Sequence, residues 1–163
     1  MPQITIGRKL KDFIISDGTD CGVEVPEARI SEFERQHGVT IPMDLRSYFT
    51  DLNGTAGDYA YGIIRFWSLD EVQSVTKEIS EKKTSSSLIQ SAYADPIDGG
   101  DNFFVFADCM HEAQLYAIKL SLTETNNPVI LLDGGEPIVV AESFSDFVER
   151  YLTTPEDLRL EVD

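Results

Sequence analysis

The sequence predicts an α+β domain whose sheet is mainly antiparallel. Three observations carry this reading. Apolar residues recur at helical spacing through the first half of the chain. Four short apolar runs, separated by Asp, Gly, Asn and Pro, occupy 103–141. One amphipathic segment follows them. Helices, then a meander of strands, then one helix is the order of segregated rather than alternating elements. With 163 residues, 42% of them hydrophobic, the chain reads as one domain over 1–163 that needs no disulfide to fold. The run Lys82-Lys83-Thr84-Ser85-Ser86-Ser87 reads as a loop within that domain, since each half alone would expose an apolar face.

A first helix is expected at about 7–15, with Leu10, Phe13 and Ile14 on one face, followed by the polar turn Ser16-Asp17-Gly18-Thr19-Asp20. Pro26 suits the first turn of the next helix, Ile30, Phe33 and His37 give its spacing, and Gly38 closes it. Pro42 opens a third helix. It carries Leu45, Tyr48, Phe49 and Leu52 at i, i+3, i+4 and i+7, and stops at Asn53-Gly54. Gly62–Trp67 reads as a strand. Ser68 and Glu71 then form a capping box for a helix running to about Lys82, with Leu69, Val72, Val75 and Ile79 inward. Strands are expected at Phe103–Ala107, Gln114–Leu120, Val129–Leu132 and Ile138–Ala141, with Asp133-Gly134-Gly135 as a hairpin turn. Ser143 or Ser145 caps a last helix that buries Phe144, Phe147, Val148 and Tyr151. Pro155 ends it, and 154–163 is expected to be a loose acidic tail.

The charge is one-sided. Against 13 Lys+Arg stand 29 Asp+Glu, a formal charge of −16. Residues 84–163 hold 15 acidic side chains against Lys119, Arg150 and Arg159 alone. Binding to nucleic-acid phosphates or to an anionic membrane surface is disfavoured accordingly. The acid either serves solubility or presents a negative surface to a basic partner, speeding encounter. Cys21 and Cys109 are too few to imply a disulfide framework. The N-terminus lacks a charged-then-apolar leader, so a cytoplasmic protein is expected.

Motifs for catalysis are weak. His111-Glu112 opens like a zinc-protease helix, but Leu115 stands where the second His belongs. Asp95-x-x-Asp98-Gly99-Gly100-Asp101 misses the alternate positions and distal Glu of a calcium loop. No Gly-x-Ser-x-Gly elbow or phosphate loop occurs, and Gly54-Thr55-Ala56-Gly57 lacks the Lys that a phosphate loop needs. The residues therefore nominate no enzyme, cofactor or metal.

The run Ile30–Phe49, with Leu52-Asn53-Gly54 after it, resembles the opening of the SUKH superfamily: an amphipathic helix ending in Gly, a hydrophobic-Pro step, and a helix running into Asn-Gly. Ile64–Val72, Phe103–Asp108, Leu115–Ile118, Pro128–Leu132 and Ser143–Val148 resemble its later elements, so the likeness covers 25–153. The insertion Gly57-Asp58-Tyr59-Ala60-Tyr61 departs from the small residues that often follow Asn-Gly there. The resemblance implies a non-catalytic domain, used mostly as a cytoplasmic immunity protein that binds and blocks a cognate bacterial toxin, often a nuclease. The superfamily also includes fungal cell-wall assembly regulators, so a regulatory or scaffolding domain without a toxin is the alternative. An acidic chain suits a basic nuclease, whose groove must attract phosphates. The expected contacts are the turn acids Asp95, Asp98, Asp101, Asp108, Glu112, Asp133 and Glu136, on one contiguous rim, with Tyr59 and Tyr61 as aromatic anchors. Trp67 is a further aromatic candidate, weighed against a place in the core.

Overall fold

The computed structural model describes residues 4–61, 63–81, 99–109, 114–134 and 136–160. Helices α1 (Ile6–Ser16), α2 (Glu27–His37) and α3 (Met43–Asp51) come first. Strands β1 (Ile64–Phe66) and β2 (Gln73–Ser74) follow, then α4 (Val75–Glu81), then β3 (Phe103–Cys109), β4 (Gln114–Lys119), β5 (Val129–Leu132) and β6 (Ile138–Ala141). Helix α5 (Phe144–Thr153) and a 3-10 turn (Pro155–Leu158) complete the described chain. Every strand pairing is antiparallel, in the order β1-β3-β4-β5-β6 with β2 beside β1 on β3. The fold is the expected α+β single domain.

The local signals work as the chemistry requires. Gly38 adopts φ +64° and returns its N–H to Glu34, a left-handed cap that a side chain would strain. Thr5 and Ser143 accept from Arg8 and Asp146 N–H at the starts of α1 and α5. Gly7 lets α1 lie on α3, because a Cβ there would stand 2.3 Å from the Ser47 carbonyl oxygen.

Strand register divides the sheet into two faces. Phe66, Ala107, Tyr116, Leu131 and Ile138 form one ladder, and Arg65, Asp108, Leu115 and Leu132 form the neighbouring one on the opposite face. Helix α5 covers the first. Phe147 stands edge-on to Phe66, Phe106 and Tyr116, and Phe144 packs on Phe106 and Tyr48. Ile30, Phe33, Leu45 and Phe49 are all buried, as their spacing implies.

Two expectations need correction. The helix after Ser68 does not start there. Glu71 does reach back to the Ser68 N–H at 3.1 Å, but the Ser68 hydroxyl turns to the Glu71 carboxylate instead of a free backbone amide. Gln73 and Ser74 extend to pair with Val105 and Phe104, and only then does α4 begin. A sheet pairing outcompetes the first turn of helix. Nor is the tail loose through its length, since Leu158 and Leu160 are buried and the Tyr116 hydroxyl donates to the Leu158 carbonyl at 2.6 Å.

Phe49 is 1% exposed between Tyr48 and the core. Phe49→Ala should destabilise the fold by about 3–5 kcal/mol, the range for truncating a buried ring. A urea melt measures this, and an unchanged midpoint would contradict the placement.

Candidate partner-binding surface

The sheet has two ends, and the sequence-nominated acids separate between them. Ile64 pairs with Cys109, Leu115 with Leu132 and Leu131 with Ile138. One end therefore gathers the loop before β1, the end of β3, the start of β4 and the described residues between β5 and β6. Asp133 and Glu136 are exposed there, and Tyr59 and Tyr61 stand on the adjoining loop. Asp101 is exposed too, but it precedes Phe103, whose partner is Lys119, at the other end. The seven residues of β3 put about 20 Å between the two. Asp101 and the Asp133–Glu136 turn thus share no contiguous rim. Asp95, Asp98 and Glu112 lie outside the described residues, as does His111.

Asp108 is not a rim residue at all. Its carboxylate is fully buried on β3, and three donors converge on it. The Tyr59 hydroxyl donates to Oδ1 at 2.6 Å, Arg65 Nε to Oδ2 at 2.8 Å and Trp67 Nε1 to Oδ2 at 2.6 Å. Arg65 stands directly across the β1–β3 pair from Asp108, its guanidinium 5.1 Å from the Trp67 ring centroid, and its far side meets Glu71 at 2.7 Å. Burial would lower the Arg65 pKa, but Asp108 and Glu71 more than offset it and the net shift is upward. Trp67, 2% exposed, belongs to the core rather than to a binding face.

This buried carboxylate shapes the surface it does not reach. By holding the Tyr59 hydroxyl it fixes the insertion 57–61 against the sheet. Tyr61 is fixed from the other side. Its N–H donates to the Asp17 carboxylate at 2.8 Å, its hydroxyl meets Ser16 Oγ at 3.0 Å, and its ring lies 4.9 Å from that of Phe13. Tyr61 remains 45% exposed with its backbone at φ +53°. Below the insertion, Asn53 ties Val23 to Leu69 through its amide, and the buried Thr55 hydroxyl accepts from Phe66 N–H and donates to the Asp58 carbonyl. The exposed tyrosine therefore sits on a braced loop, which lowers the ordering entropy of any contact made there.

Ion pairs decide the field outside. Arg8, Lys9, Lys11, Arg29, Arg46, Arg65, Lys77, Lys119 and Arg150 each pair with an acid of the same chain. Among the described residues, Asp101 and Glu136 enter no such pair. Most of the positive charge among the described residues is neutralised internally, and acids such as Asp101 and Glu136 face water. No group of three or more His, Cys, Asp or Glu arranged to hold a metal occurs among the described residues. No helix among them is long and apolar enough to cross a membrane.

The sequence pattern gives Arg65 no role, and marks Glu71, Asn53 and Thr55 only as a helix cap, a helix stop and a loop residue. An Arg alternating with Ile64 and Phe66 and an Asp ending an apolar strand were the available signals, but only the β1–β3 register makes them a pair.

A family model described as the SMI1 / KNR4 family (SUKH-1) matches residues 24–150, most of the chain. No curated protein matches it.

Asp108→Asn should destabilise the fold by about 3 kcal/mol, because the amide can accept at one atom where three donors need two, and Arg65 loses its buried counter-charge. Glu71→Gln, at a side chain 40% exposed, should cost about 1 kcal/mol or less. Equal effects in chemical denaturation would contradict the assignment of Asp108 as the centre. Burial, then the hydrogen bond to Asp108, pushes the Tyr59 phenol up to about 12, and burial pushes the Cys109 thiol to about 11. Both folded values exceed the ordinary ones, so the folded state favours the protonated forms. Their stabilisation is complete below the ordinary values and is lost as pH rises through about 11–12. Thermal melts should be flat from neutrality to about pH 8 and fall above it. Tyr59→Phe should remove part of that fall.

Proposed function

The chain belongs to the SMI1/KNR4 (SUKH-1) family, and from that premise we propose that it is an immunity protein: a cytoplasmic, non-catalytic domain that binds a basic bacterial toxin and blocks it. The observation that carries the reading is the excess of acid on a protein most of whose described cations are paired with its own carboxylates. Such a surface attracts a protein built to hold phosphates, and it does so over distances longer than any contact. The end of the sheet bearing Asp133 and Glu136 joins that field to the braced Tyr61, an exposed ring of the kind that dominates interface energy. The toxin is proposed to meet this end. Asp101, at the far end, contributes to the field but not to the same footprint, and Asp108 acts only by holding Tyr59.

The test is co-expression with the toxin encoded beside its gene, followed by stopped-flow binding of the purified pair. Restored growth and a complex of defined stoichiometry support the reading; growth unaltered by the chain, with no complex, overturns it. Glu136→Gln should slow association a few-fold, whereas Tyr61→Ala should mainly raise dissociation, by about tenfold or more. Raising ionic strength from about 0.1 to about 1 M shrinks the Debye length from about 10 to about 3 Å, so association should slow across that range. A salt-independent on-rate would leave the acidity with solubility alone.

A further inference from the structure

Strand β6 is the outermost strand on its side of the sheet, at the margin opposite β1 and the Tyr59–Tyr61 loop. Among the described residues no strand pairs with its far edge. Val139 on that edge is 63% exposed. An apolar, unpaired edge is a template for another chain, and proteins ordinarily blunt it. Here the blunting is selective. Glu136 and Glu142, both exposed, bracket the strand at three residues either side of Val139, and neither engages a described basic side chain. Pro137 supplies no N–H and the Glu142 N–H is already donated to Asp146 Oδ2 at 3.0 Å, which confines the main-chain donors open to an added strand to 138–141.

The bracket discriminates by charge. If a second copy paired antiparallel with Val139 opposite Val139, Glu136 of each copy would face Glu142 of the other, twice over. Like charges directly across a strand pair repel, and both copies also carry the formal charge of −16. A strand bearing Lys or Arg at those positions gains the same two pairings as attraction. We propose that the outer edge of β6 docks an extended basic segment of a protein partner. The segment adds antiparallel as a further strand, with cations three residues either side of the one facing Val139. Main-chain hydrogen bonds would supply affinity and the two glutamates selectivity. The proposal rests on the reading of the chain as a binder of a basic protein, and places a second contact on the opposite margin of the sheet from Tyr61.

The probe is the synthetic peptide Lys-Thr-Thr-Val-Thr-Thr-Lys, with Glu-Thr-Thr-Val-Thr-Thr-Glu as its control, each titrated at millimolar concentration into the isotope-labelled full chain. The expected result is movement of amide signals over 138–141, and slowed hydrogen exchange there, with the basic peptide only. Glu136→Lys combined with Glu142→Lys should invert the preference, changing the ratio of the two affinities by about tenfold or more, since two cross-strand pairs reverse sign. Both positions are exposed, so the doubly substituted chain should stay folded, which its melting curve checks. Signal changes confined to other residues, or none with either peptide, would overturn the proposal. So would sedimentation as a dimer with these amides protected in the absence of peptide, which would make a second copy the occupant. A toxin that dissociates at the same rate from the native and the Lys-substituted chain would remove the edge from that interface and leave the reading of the Tyr61 end standing, because there Glu136 acts on association and Tyr61 on dissociation. A toxin that neither binds, with the peptide result intact, would do the reverse.

Discussion

A single buried carboxylate organises one half of this molecule. Asp108 sits where water cannot reach it, so each oxygen needs a donor from the chain, and the donors come from three places: the insertion at Tyr59, the facing strand at Arg65 and the strand's end at Trp67. A charge in such a site is costly unless paired and fully bonded, which makes the arrangement all or nothing. It fixes β1 on β3 and the loop on the sheet together. Glu71 completes the pairing of Arg65 and, through Ser68, sets how the chain leaves β1.

The other half is organised by shape. Helix α5 lays Phe144, Phe147, Val148 and Tyr151 along the ladder of Phe66 and Tyr116, with rings meeting edge to face at centroid separations of 5.0 to 6.5 Å. Three short helices close over it, and the close approach of α1 to α3 depends on the absence of a side chain at Gly7. Burial here is insensitive to charge, whereas the Asp108 side depends on it. The two halves share β3, which presents residues to both faces and shifts register between Val105 and Ala107.

That division separates stability from recognition. The apolar face and the Asp108 cluster consume the aromatic side chains and the best-placed cations internally. What remains outside, among the described residues, is mostly acid over paired cations, with a few exposed apolar groups such as Tyr61 and Val139 and a sheet margin on β6 with no described strand beside it. A surface of this composition attracts cationic proteins and repels copies of itself, and both properties follow from one charge imbalance.

The sequence by itself determined the elements whose signals are local. Gly38 after a helical repeat, Ser143 before one, and the apolar runs at Val129–Leu132 and Ile138–Ala141 carry their own geometry in neighbouring residues, and the elements lie where these place them. The net charge and the family likeness were equally legible, because neither needs a fold. Tertiary structure decided what depends on register and depth. Asp108 looked like a turn acid because it closes an apolar run; pairing opposite Arg65 put it inside, at a carboxylate whose charge is met from residues more than forty positions away. Ser68 and Glu71 read as a helix start because only neighbours are visible in a sequence, whereas β3 was free to pair with Gln73 and Ser74 and delay the helix. Leu158 and Leu160 fell in a tail by composition and in the core by proximity to Tyr116. The turn acids read as one rim, yet Asp101 lies at one end and Asp133 and Glu136 at the other, since the direction of each strand, not its composition, assigns a turn to one end of the sheet or the other.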